Sequence, residues 1–86
     1  MSKTKKKLKP TELDAADRIG MAMLAPARAT RDALGVNEFT LRLCEKLGWP
    51  YLPRRVQQVQ TWLTLEPSIW QHPRAGVAKA MLEIEA

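Results

Sequence analysis

The sequence predicts an all-α fold, a compact bundle of about five short helices that contains a helix-turn-helix. Three observations lead there. Apolar residues recur at spacings of three and four along most of the chain, and no useful stretch alternates apolar with polar as a half-buried strand would. Pro26, Pro53 and Pro73 each open such a periodic segment, where a missing N–H costs little. Gly35 and Gly48 each close one, where a helix ends best on a residue free to take positive φ.

The first helix is expected from about residue 11 to residue 25. Thr11 can cap it with Asp14 three positions on, close to a capping box. Glu12, Asp14 and Asp17 crowd its first turns, where the helix dipole favours acids. Its apolar stripe is Leu13, Ala16, Ile19, Met23 and Leu24. Gly20 costs about 1 kcal/mol against alanine and allows a close helix contact. A second helix is expected over residues 26–34. A third, over residues 38–47, takes Asn37 as its cap and buries Leu41, Cys44 and Leu47, with Phe39 and Leu43 on a neighbouring stripe. A fourth runs over residues 53–64 with Val56, Val59, Trp62 and Leu63 inward. The stretch LEPSIWQHP reads as an irregular connector or a single turn. The last helix, residues 73–84, carries Val77, Ala80, Met81 and Ile84 on one stripe.

A chain of 86 residues with 45% hydrophobic content makes one domain with a real core. Residues 1–9 are expected to be a disordered basic tail and residues 10–86 a single helical domain, without internal repeats. Cys44 is the sole cysteine, so no intramolecular disulfide can form, which fits a reducing cytoplasm. No apolar segment follows the charged start, so no secretory leader is expected. The longest nearly uncharged run, residues 19–27, is too short to cross a bilayer.

Catalysis is not expected. His72 and Cys44 lie far apart without metal-ligand spacing around either. There is no glycine-rich phosphate loop, no serine elbow and no pair of carboxylates in an apolar setting. No cofactor, metal or small-molecule substrate is therefore implied.

Charge points elsewhere. The net charge is +5, and the tail alone holds Lys3, Lys5, Lys6, Lys7 and Lys9 without an acid. The remainder carries nine bases and nine acids, unevenly spread. Residues 28–55 have six bases against three acids, whereas the segments on either side are net negative. A basic face on a neutral body suits nucleic acid.

That basic segment includes DALGVNEFTLRLCEKLGW. A helix-turn-helix needs a small residue at its corner, an apolar one just after it, and buried positions six and nine beyond the glycine. Gly35, Val36, Leu41 and Cys44 stand at those places. Over residues 30–49 the segment resembles the helix-turn-helix of MerR-type regulators and the related excisionases. There a Gly-Val corner precedes a Thr-aliphatic-Arg triplet, and a basic residue and a glycine close the helix. Thr40, Leu41, Arg42, Glu45, Lys46 and Gly48 match. Arg31 stands where such motifs usually have alanine, and PYLPRRVQQVQ reads as a turn into another helix where they have a basic wing.

The motif implies a sequence-specific reader of double-stranded DNA, expected to be a small transcriptional regulator or recombination accessory factor. Asn37, Glu38 and Thr40 would face base edges, and Arg42 and Lys46 would reach a base or phosphate. Arg28 and Arg31 before the motif, and Arg54 and Arg55 after it, would hold the backbone. A homodimer would suit such a short reader. The bland alternative is a solvated helical hairpin. The rival function is a protein-binding module or inhibitor, with Trp70 and the C-terminal helix as the interface.

Overall fold

The computed structural model describes residues 15–86. The expected basic tail and the expected helix start at residues 11–14 lie outside the described residues. Five helical segments follow one another: α1 (Ala15–Met23), α2 (Ala25–Leu34), α3 (Val36–Leu47), α4 (Pro53–Leu63) and α5 (Ala75–Glu83). Among the described residues there is no strand. Leu24 alone separates α1 from α2, and Arg28 N still donates to Leu24 O at 3.0 Å. The two segments form one interrupted rod, so the described residues hold four helical units and the expected count of five is reached only by counting the halves apart.

The central helix is α3, which packs against α2, α4 and α5. Its inward face is Phe39, Thr40, Leu43 and Cys44, all essentially inaccessible. Around it gather Leu24, Ala27, Val59, Leu63, Trp70, Val77, Ala80, Met81 and Ile84. The inward row of α5 is thus the one that the periodicity indicates, and so is that of α4 except for Val56, which is half-buried and outside the core.

The facing of α3 departs from expectation. Leu41, expected inside, is 37% exposed, whereas Thr40 is 0% exposed. Neighbouring stripes on a helix compete for one core, and the row with more apolar volume wins. Val36, Phe39, Leu43 and Leu47 outweigh Leu41. Thr40 enters with them because its Oγ1 donates to Val36 O at 2.7 Å, which satisfies the buried hydroxyl within the helix.

The α2–α3 corner is tighter than expected. Gly35 is the single residue between the helices, at φ 87° and ψ 147°, a conformation essentially reserved for glycine. Helix α3 starts at Val36 without a side-chain cap, so Asn37 lies inside the first turn and does not cap it. At the other end Gly48 is left-handed, with φ 71°. Gly48 N and Trp49 N donate to Glu45 O and Cys44 O, the paired bonds of a Schellman ending.

The first helix also faces differently. Ile19 and Met23 are 60% and 61% exposed, and α1 buries no residue completely. Gly20 and Met21 are the inward side. A Cβ at Gly20 would lie 2.7 Å from His72 Nε2, so the glycine does permit a close approach, to the 64–74 connector and not to a helix. That connector makes one turn at residues 67–69 and folds back over α4. The Trp70 indole is buried and its Nε1 donates to Trp62 O at 2.8 Å.

One buried cation joins these parts. Arg28 on α2 is 9% exposed. Its Nε donates to Leu63 O and an Nη to Met21 O, each at 2.7 Å. Both carbonyls belong to the last turns of their helices, at the negative dipole end; Met21 O also accepts from Leu24 N at 3.3 Å, whereas Leu63 O has Arg28 as its donor. Burial, and secondarily the charge of Arg31, lowers the Arg28 pKa, but an arginine remains a cation. Removing it leaves the Leu63 carbonyl without its donor and Met21 O with the Leu24 N–H alone. Arg28→Met should therefore lower the unfolding free energy by about 2–4 kcal/mol in urea titration, with Arg28→Lys recovering only part. A change below about 0.5 kcal/mol would show that water replaces the guanidinium freely.

Candidate functional site

The residues expected to meet DNA separate into three groups. Arg28 and Thr40 are removed from the surface, and neither can touch a phosphate or a base while the fold is intact. In each case the buried group has found a backbone carbonyl, a partner that no side-chain motif advertises. Arg31 is half-buried, pairs with Asp32 at 3.1 Å and donates to Gln60 Oε1 at 3.2 Å.

The second group is the outer face of α3. Asn37 and Glu38 are exposed in its first turn, with Leu41, Arg42, Glu45 and Lys46 following. The face is charge-balanced. Arg42 Nε lies 2.9 Å from Glu38 Oε2, and its Nη1 donates to Glu85 O at 2.8 Å. Lys46 lies 3.7 Å from Glu83. The acidic end of α5 thus runs beside α3, bringing carboxylates next to the surface that a DNA backbone would approach.

The third group lies at the N-terminal ends of α4 and α5. Arg54 and Arg55 begin α4, and Arg74 caps α5. None of the three, nor Lys79 on α5, has an acidic partner among the described residues. Arg55 stacks its guanidinium 4.3 Å from the centre of the Trp49 ring, and its Nη1 donates to Gln58 Oε1 at 3.0 Å. Arg74 and Lys79 are additions to the expected set. The signal for Arg74 is the second Pro-Arg start: HPRAGVA repeats the opening of LPRRVQQ. The net negative charge of residues 56–86 hides it when charge is summed by segment.

Two other side chains change standing. The anchor of the rival reading, Trp70, is buried, and the apolar stripe of α5 lies in the molecule's own core, leaving Leu82 as its exposed large apolar residue. Cys44 is buried, and desolvation raises its thiol pKa, with Arg55 pulling partly the other way. It is a core residue in chemical terms. Among the described residues no helix is long and apolar enough to cross a membrane.

The rotation of α3 has a direct test. Thr40→Lys would force an ammonium into a sealed position and should cost at least about 3 kcal/mol of stability. Leu41→Lys, one residue on, should change stability by no more than about 0.5 kcal/mol. The reverse ranking in thermal or urea unfolding would place Leu41 inside and return Thr40 to the surface. No family model, curated protein or solved structure matches this chain.

Proposed function

We propose that the protein binds DNA, gripping phosphates with the N-terminal ends of α4 and α5 and with its lysine-rich start. The observation that carries this reading is the distribution of unanswered charge. Arg54, Arg55 and Arg74 lack acidic partners among the described residues, and all three stand where a helix begins. First-turn N–H groups and the positive dipole end reinforce them there. Lys3, Lys5, Lys6, Lys7 and Lys9 add five charges from the sequence. Contacts of this kind hold a protein on a duplex and release counterions, so binding falls steeply with salt.

Sequence reading is the finer part of the proposal. It assigns α2 and α3 to the helix-turn-helix that the Gly-Val corner and the MerR-like triplet suggest. Asn37, Glu38, Arg42 and Lys46 would then enter the groove, with Arg42 and Lys46 exchanging Glu38 and Glu83 for DNA. A homodimer belongs to this finer part, because one short helix offers too little contact by itself.

The test is a fluorescence anisotropy titration of the full chain with a short duplex across several salt concentrations. Arg54→Ala and Arg74→Ala should each flatten the logarithmic salt slope by about one unit and weaken binding roughly three- to tenfold on every duplex sequence. Arg42→Ala should do so weakly or only on a preferred sequence. Absence of duplex binding at about 0.15 M salt, near physiological screening, would remove the proposal.

A further inference from the structure

The cleft between α4 and α5 has a composition that phosphate gripping alone does not require. Its volume is about 350 Å³, and Trp49, Arg55, Gln58, Trp62, His72 and Arg74 line it. No acidic residue lines it. Two arginines thus face one space without a carboxylate among the described residues to answer them. Arg55 also keeps a buried Nε without an acceptor, so the protein leaves part of this guanidinium's hydrogen-bonding demand unmet.

The walls add aromatic surface. Trp49 and Trp62 are partly buried and packed against the core; the Trp49 ring already carries the Arg55 guanidinium, so Trp62 is the indole left for a ligand. His72 stands edge-on to the Trp70 ring at 5.3 Å, and its Nδ1–H donates to Pro73 O. Gly20 leaves room for the other edge of that imidazole. Gln58 supplies an amide whose Oε1 is engaged by Arg55 and whose N–H groups have no partner among the described residues.

Paired cations, the indole of Trp62, the His72 imidazole and an amide donor together match one chemical class, a phosphorylated nucleoside. The phosphate would sit between Arg55 and Arg74, the base against Trp62 and His72, and the Gln58 amide would reach a base or sugar oxygen. A base inside a duplex cannot reach such walls, because its faces are already stacked. We infer that this cleft is a site for one unstacked nucleotide, so that the protein favours DNA with single-stranded character over uniform duplex. The inference rests on the DNA-binding reading and specifies its substrate.

The experiment is a tryptophan-fluorescence titration of the full chain with oligothymidylate, a duplex of equal length, thymidine monophosphate and inorganic phosphate. Oligothymidylate should quench emission and bind at least about fivefold more tightly than the duplex. Arg74 is exposed at the start of α5, so Arg74→Ala should keep the melting temperature while weakening oligothymidylate about tenfold. Trp62→Phe, which keeps an aromatic wall, should remove much of the quench without abolishing binding. Quenching by the mononucleotide at comparable affinity would identify free nucleotides as the source of the ligand, whereas strand binding alone would identify nucleic acid. Duplex binding that depends on Arg54, with no quench and no preference for the single strand, would overturn the inference and leave the DNA-binding reading standing. If none of the four probes binds at about 0.15 M salt, both fall.

Discussion

The Arg28 guanidinium is the constraint on which the arrangement depends. A domain this small has little apolar area to spend on holding helices in register, and a buried cation must find acceptors or unfold the site. Arg28 finds two, Leu63 O and Met21 O, at positions 35 and seven residues away in sequence. It therefore ties the end of α4 to the end of α1 through α2. Capping α4 at its C-terminus also decides what remains at its other end. The helix is 11 residues long, so its N-terminus with Arg54 and Arg55 projects about 16 Å from the staple. The negative pole of α4 is neutralised inside the molecule, and its positive pole is left at the surface.

The same division organises the remaining charges. Cations on the α2–α3 side are used by the protein itself: Arg28 on carbonyls, Arg31 on Asp32, Arg42 on Glu38 and Lys46 on Glu83. Exposed pairs of this kind contribute little to stability, but they cancel the field that would draw an anion. Cations at the starts of α4 and α5 keep that field. They also stand beside Trp49 and Trp62, so charge and stacking surface coincide on one side of the molecule. On the proposed DNA-binding reading, affinity and specificity would fall to different elements, with α3 supplying at most the reading of sequence.

Much of the fold is legible in the residues. Pro26, Pro53, Gly35 and Gly48 mark helix limits because each has a backbone property that few conformations accept, and α2 and α4 fall within a residue of their expected spans. The inward stripes of α4 and α5 are legible because each offers one dominant apolar row. On α3 two adjacent rows compete, and packing volume, a property of the assembled core, chose Phe39 and Leu43 over Leu41. On α1 the periodic residues Ile19 and Met23 remain outside, since the facing of a helix with no fully buried residue is set by its neighbours. Arg28 read as a phosphate contact because an arginine's sequence context does not reveal distant carbonyl partners. The positive charge of Arg54 and Arg55 was legible, and their freedom from acids was not, because an ion pair depends on which elements meet.

On the proposed reading, DNA would meet the starts of α4 and α5 before it meets α3. The most direct measurement is a backbone amide chemical-shift map of the isotopically labelled full chain, titrated with a short duplex at moderate salt. The largest perturbations should fall on Arg54, Arg55, Arg74 and Ala75, with smaller ones at Asn37, Glu38 and Arg42. Perturbations concentrated on Asn37, Glu38, Leu41 and Arg42, with α4 and α5 silent, would contradict the account and make α3 the docking element.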